Sequence, residues 1–239
     1  EILQLASLVG VYGLSLLVLC LAFSLNYIIG TKCFEKNIVV SIYLITALGW
    51  VWGKVHLDEP DVRQAPSLAI RLVQPNIPQT LKWNPEQKEK NFQHLLELTE
   101  TPSRLPLKAI LWPESAIPFF LEQDDGHRLR IAQSLPQAGL LFTGALRRTA
   151  PGVVPLEVWN SILVLNDQGD IVSFYDKSHL VPFGEYIPFR MVSDQLFGKG
   201  AVKKITAGLM DFTPGMGPQT LPLPEGFPSF TGLVCYEVI

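Results

Sequence analysis

The chain has 239 residues, 48% of them apolar and only 17% charged. Its mean hydropathy of +0.24 is too high for an ordinary soluble domain, so part of it is expected to lie in lipid. A net charge of -3 gives no electrostatic footprint for nucleic acid, and three scattered cysteines, Cys20, Cys33 and Cys235, make neither a disulfide framework nor a metal site.

No charged residue occurs from Ile2 to Thr31. That run is long enough to span a bilayer with some tilt. It lacks the basic leader of a signal peptide, and its apolar core is too long for one. Gly10, Gly13 and Ser15 either form a small-residue face for helix packing or are simply tolerated in an apolar helix. A second uncharged run, Asn37 to Gly53, spans about 26 Å as a helix and carries Trp50 and Trp52 near its end, where aromatic residues anchor at the interface; the alternative is a buried helix of a soluble fold. Between the runs lie Lys32 and Lys36, partly offset by Glu35. The positive-inside rule puts this connector in the cytoplasm and everything after about His56 on the opposite side. The expected layout is two transmembrane helices within 1–56 (about 2–29 and 37–55), a polar linker over 57–66 with Pro60 and Pro66, and a water-soluble domain over 67–239. The chain begins at Glu1 rather than Met and stops soon after Cys235, so it is expected to be a piece of a longer protein.

In the water-soluble part strands and helices alternate. Ser67–Gln74 reads as a strand by its apolar alternation, broken by Pro75 and Pro78. Asn84, Pro85 and Glu86 read as a helix start, with Phe92, Leu95, Leu96 and Thr99 following at helical spacing. Lys108–Trp112 is the next strand and Asp124–Leu135 the next helix. Gly139–Leu146 and Trp159–Leu165 are strands, and Ile171–Tyr175 pairs back across a turn at Asn166–Gly169. Phe230–Cys235 is read as a final strand. The order βαβαβ, then a hairpin and a further strand, predicts an α/β fold with a mixed sheet.

Three polar residues follow apolar strands: Glu114, Lys177 and Cys235. Ligand sites of α/β sheets gather where strands end. A carboxylate that takes a thiol proton, a cation that stabilises an oxyanion and a thiolate that attacks make a workable acyl-transfer set. Taken singly, each has a plainer reading. Cys235 fits an inert core thiol, Glu114 and Lys177 fit solvated strand ends, and His179 fits a structural hydrogen bonder beside the site.

The motifs Trp112-Pro113-Glu114, Tyr175-Asp176-Lys177 and Val234-Cys235-Tyr236-Glu237 resemble the Glu, Lys and Cys motifs of the carbon–nitrogen hydrolase (nitrilase) superfamily. Val73–Gln79, the run Lys177–Pro188 (which holds His179-Leu180-Val181-Pro182-Phe183-Gly184-Glu185-Tyr186) and the upstream spans narrow the resemblance to the bacterial apolipoprotein N-acyltransferase branch. The resemblance runs over essentially the whole chain. It implies a nitrilase-like αββα sandwich, truncated at its C-terminal side and preceded by two transmembrane helices. Most upstream spans, the rest of the sandwich after Cys235 and a closing span would be missing from this piece.

The resemblance also implies a two-step reaction without metal or organic cofactor. Cys235, deprotonated by Glu114, would take an acyl chain from a phospholipid. The α-amine of an apolipoprotein's diacylglyceryl-cysteine would then accept it. Lys177 and the backbone N–H of Tyr236 would stabilise the oxyanion, Glu185 would orient the lysine or assist proton transfer, and Glu237 would support the nucleophile. Trp83 matches a position near the acyl or headgroup site, though it equally fits a core tryptophan, and Asn160 is placed near the site as a hydrogen bonder. The implied location is the bacterial inner membrane with the catalytic domain on the periplasmic side. The apolar residues among Phe183–Phe212, interspersed with Lys199, Lys203 and Lys204, suit an interfacial arm over anionic lipid, or a packed loop with a basic patch. Two other functions fit the same motifs: a membrane-tethered amidase that hydrolyses a small amide, and a non-catalytic scaffold.

Overall fold

The computed structural model describes residues 1–27, 33–58, 68–190, 195, 198 and 211–238. It divides after Ala65 into two compact units. The linker 59–66, Lys32 of the connector, and Met191, Val192, Leu196, Phe197, Lys199, Lys203, Lys204, Ile205, Leu209 and Met210 of the expected interfacial arm lie outside the described residues.

The first unit is a 3-10 turn, Ile2–Leu5, followed by helices α1 (Ala6–Tyr27) and α2 (Cys33–Asp58). Ile2–Ser24 and Lys36–Leu57 are long and apolar enough to cross a membrane. The close approach between the N-terminal turn and α2 is made by Gly49 and Gly53. A Cβ on Gly53 would lie 2.1 Å from the Glu1 carbonyl oxygen, and one on Gly49 would lie 2.6 Å from a Leu5 methyl. The two glycines lie four apart, on one face of α2. Gly10 leaves helical geometry at φ 68°, and the Ser15 hydroxyl donates to the Val11 carbonyl of its own helix.

The second unit is built on a five-stranded sheet in the order β1-β2-β3-β4-β5. The strands are β1 (Ile70–Leu72), β2 (Ala109–Leu111), β3 (Leu140–Arg148), β4 (Val158–Asn166) and β5 (Ile171–Asp176). β1, β2 and β3 are parallel, whereas β4 and β5 run antiparallel. A short helix α3 (Gln79–Lys82) and the longer α4 (Lys88–Glu100) connect β1 to β2, and α5 (Asp125–Ser134) connects β2 to β3. Parallel neighbours need such crossovers, while the antiparallel β3, β4 and β5 are joined by a loop over 149–157 and a short turn over 167–170.

The sequence dictates which sheet face the helices cover. Phe92, Leu95 and Leu96 of α4 and Ile131 of α5 share one core with Ile110, Leu141, Leu163 and Leu165. The alternate residues Leu111, Phe142 and Ile162 therefore point to the other face, where they border a cavity. Within the core, Trp112 satisfies its indole N–H on the Thr99 hydroxyl at 2.8 Å.

One helix start differs from the sequence reading for an identifiable reason. The Asn84 side chain accepts from Glu86 N–H at 3.0 Å and so closes a local turn; α4 starts at Lys88 instead. Asp124, by contrast, caps α5 by accepting from His127 N–H.

The larger difference is at the C-terminal end. The expected strand Phe230–Cys235 survives only as β7 (Phe230–Thr231), paired antiparallel with β6 (Thr220–Leu221) in a separate ribbon. Gly232 then passes so close to Tyr175 that a Cβ would lie 2.6 Å from the ring. Val234 gives its N–H to the Glu237 carboxylate at 2.9 Å rather than to a neighbouring strand. Cys235 thus opens a 3-10 turn, Cys235–Val238.

Candidate active site

Glu114 sits three residues beyond the last β2 pairing, at Leu111, after Trp112 and Pro113. Its turn is pinned to β3: Gly144 N–H donates to the Pro113 carbonyl, and the Gly144 carbonyl accepts from Ala116 at 2.9 Å. Ser115 is left-handed at φ 49°, a conformation that costs a non-glycine residue energy and recurs at functional sites. The turn fits only because Gly144 has no side chain. A Cβ there would lie 2.4 Å from Ser115 N and 2.6 Å from Glu114 Cα. From the other side, Lys82 Nζ donates to the Glu114 carbonyl at 2.8 Å. Burial pushes the Lys82 ammonium below its ordinary value, and the nearby Glu114 charge opposes this only in part.

Lys177 follows β5 directly and is 1% exposed. Its Nζ lies 2.8 Å from Glu185 Oε2, and the same oxygen accepts from Val181 N–H. Asn160, near the start of β4, connects this ion pair to Glu114. Its Nδ2 is 3.0 Å from Glu114 Oε1 and 3.4 Å from Glu185 Oε1. Its carbonyl accepts from Lys177 N–H at 2.9 Å. Glu114, Asn160, Glu185 and Lys177 therefore form one continuous polar chain, and the lysine is paired with Glu185 rather than with Glu114.

Cys235 is exposed and adopts φ 55°. The turn it opens is held by Glu237. Glu237 Oε1 accepts from Ser178 N–H, the Ser178 hydroxyl, His179 N–H and the Tyr175 hydroxyl at 2.8 to 3.0 Å, while Oε2 accepts from Val234 N–H. Burial pushes this carboxyl up, but the hydrogen bonds from His179, Val234 and Ser178 together outweigh it and hold it below the usual carboxylate value. Burial also pushes the Tyr175 phenol above its ordinary value.

Glu114 and Cys235 border the same cavity, of about 540 Å³, walled by Leu111, Phe142, Ile162, Phe227 and Leu233. A carboxylate and a thiol at one apolar cleft can carry out proton transfer and nucleophilic attack on an acyl group. Tyr236 is 55% exposed beside the thiol. Trp83 follows α3, half-buried, and does not line this cavity. His179 joins the site through its backbone, as a donor to Glu237. Lys82 and Gly144 had no signal in the sequence reading, because both act on backbone atoms distant in the chain.

A carbon–nitrogen hydrolase family model matches residues 69–239. The chain is 32% identical over 247 aligned residues to the apolipoprotein N-acyltransferase of Rhodopseudomonas palustris, covering 99% of this chain and 45% of that protein. It is 34% identical over 243 residues to the enzyme of the same name from Allorhizobium ampelinum, covering 99% of this chain and 44% of that protein. The chain thus spans less than half the length of these relatives. Among solved structures, an N-terminal amidase with an Asn-Glu-Ala peptide aligns over 68% of this chain and 37% of its own, at 17% identity and a TM-score of 0.40.

Proposed function

The chain belongs to the carbon–nitrogen hydrolase family, and from that premise we propose that it carries the reaction centre of an apolipoprotein N-acyltransferase. The observation that carries this reading is the single apolar cavity bordered by both Glu114 and Cys235. It is supported by the identity to enzymes of that name along the whole chain.

Glu114 takes the Cys235 proton, and the thiolate attacks an acyl ester carbon of a phospholipid. Lys177, oriented by Glu185, and the N–H of Tyr236 stabilise the tetrahedral oxyanion. The C–O bond breaks, Glu114 returns the proton to the departing lysophospholipid oxygen, and the acyl chain remains on Cys235 as a thioester. The α-amine of a diacylglyceryl-cysteine then attacks, losing its proton to Glu114. The C–S bond breaks, and the thiolate regains a proton. Trp83 is assigned to the substrate side at the acyl or headgroup end. Glu237 supports the nucleophile turn. The chemistry needs no metal or organic cofactor. Two apolar helices keep the domain at the membrane where both substrates reside, and Lys32 and Lys36 orient it toward the periplasm.

The test is mass spectrometry of the full-length protein after incubation with phospholipid. The expected result is one acyl chain on the peptide that holds Cys235, absent from Cys235→Ala and Glu114→Ala. Full activity in either variant would sink the assignment. A thioester that persists until an amine is added supports the transferase, whereas one that water clears at once would mark an amidase.

A further inference from the structure

We propose that Asn160 is a positioning residue: its one amide NH2 joins the Glu114 carboxylate to the Lys177–Glu185 ion pair and keeps Glu114 available as the base. The inference rests on the reading above and concerns how Glu114 is held, not what it attacks.

Asn160 is 4% exposed, so it does not face substrate from the cavity wall. Its Nδ2 lies within hydrogen-bonding distance of two carboxylate oxygens, Glu114 Oε1 at 3.0 Å and Glu185 Oε1 at 3.4 Å. Both partners are pure acceptors, so only the NH2 end of the amide can face them. The amide oxygen has no hydrogen-bond partner among the described residues, so no further hydrogen bond fixes the side chain. The backbone of Asn160 is locked in β4 opposite Leu146 and accepts from Lys177 N–H.

Two carboxylates bonded to one amide, one of them also on a buried lysine, present a choice of ion pairs. The structure resolves it in one direction, with Lys177 on Glu185 Oε2 at 2.8 Å. A neutral group with two N–H donors can hold both acids at once without neutralising either. A cation in its place would pair with Glu114 and blunt it as a base. A carboxylate in its place would have no proton to give.

That last point supplies the test. Asn160→Asp is nearly isosteric but sets a third carboxyl against two others, so a donor returns only when one of the three takes up a proton. Asn160→Ala removes the donor at every pH. Acylation of Cys235 is measured in the full-length protein in detergent, in single turnover with a dipalmitoyl phospholipid, from acid to mildly alkaline pH. Wild-type acylation at Cys235 establishes the underlying reading; its absence overturns that reading and this proposal with it. Given wild-type acylation, Asn160→Asp should run about 10-fold or more slower at neutral pH and recover toward wild type as pH falls. Asn160→Ala should be slow throughout, without acid recovery. The proposal is overturned if Asn160→Asp equals wild type at neutral pH, or if the two variants are slow with the same pH dependence, which is the mark of a merely structural role.

Discussion

Glu237 Oε1 lies 2.8 Å from the backbone nitrogen of Ser178, so the turn that opens with Cys235 is tied to the residue that follows Lys177. The carboxylate acts as a staple between two segments 59 positions apart. Its other donors are the Ser178 hydroxyl, His179 N–H and Val234 N–H on the same two segments, and the Tyr175 hydroxyl at the end of β5. The thiol's placement is thus set by a side chain two residues downstream, not by a strand of the main sheet.

The first prediction follows from that staple. Glu237→Gln keeps the size but replaces an anion that accepts from several N–H groups with an amide that has one acceptor oxygen. We expect acylation of Cys235 to fall about 100-fold, together with a lower melting temperature at neutral pH. The pH dependence has a defined sign. The folded-state carboxyl is held below its ordinary value, so its contribution to stability is full above the unfolded value, roughly 4.3, and is lost as pH falls through the folded value. The difference in melting temperature between wild type and Glu237→Gln should therefore shrink below about pH 4. A difference that persists unchanged in acid would show that the carboxylate's charge is not what stabilises the turn.

Gly144→Ala tests the seat of Glu114. The added methyl would lie 2.4 Å from Ser115 N, which is backbone and cannot rotate away. Relief requires the Glu114–Ser115 turn to move off β3, at a cost of about 1–3 kcal/mol. The expected outcome is a measurable fall in melting temperature and a larger proportional loss of acylation. Alanine tolerated with full activity would mean that the turn does not need its approach to β3.

How much of this was legible beforehand depends on the kind of contact. Glu114 and Lys177 could be read because apolar strands and a following proline or polar residue are local signals. The mixed sheet followed from the alternation of elements. The shortening of the last strand was not legible: Leu233 and Val234 are apolar enough to extend it, but the Gly232 approach to Tyr175 and the capture of Val234 N–H by Glu237 depend on residues far away in the chain. Asn84 looked like a helix cap because a local turn and a cap use the same side-chain acceptor. Asn160 was expected near the site, but its burial between two acids depends on the β3–β4 register, which brings the first residues of β4 beneath the Glu114 turn.

Arg147 offers a test of the layer under Lys177. Its guanidinium bonds Asp176 at 2.7 and 2.9 Å and Glu122 at 2.9 Å, and its Cζ stacks 3.6 Å from the Phe174 ring centroid. Asp176 also accepts from the Ser161 hydroxyl. A lysine offers a point charge without the planar fork and cannot reach both acids while lying on the ring. Arg147→Lys should destabilise the domain by about 1–3 kcal/mol, read as a shift in denaturant midpoint at constant slope. An unchanged midpoint would reduce the cluster to surface decoration.

Lys82 separates stability from activity. Burial lowers its pKa, so near neutral pH the folded state bears a cost for holding it charged, a cost relieved as pH rises through the folded value toward roughly 10.4. Lys82→Met removes that cost but also removes the hydrogen bond to the Glu114 carbonyl, worth about 1 kcal/mol. The two act in opposite directions, so the melting temperature should fall by less than loss of the hydrogen bond alone would give. Acylation should nevertheless slow about 10-fold, because the Glu114–Ser115 peptide loses the donor that fixes its orientation. Lys82→Arg, which restores a donor in reach of the carbonyl, should recover part of the rate. If Lys82→Met acylates at the wild-type rate, the left-handed Ser115 and the Gly144 approach suffice to set the base. If Lys82→Met is slow and Lys82→Arg is equally slow, the loss comes from repacking around α3 rather than from the bond to Glu114.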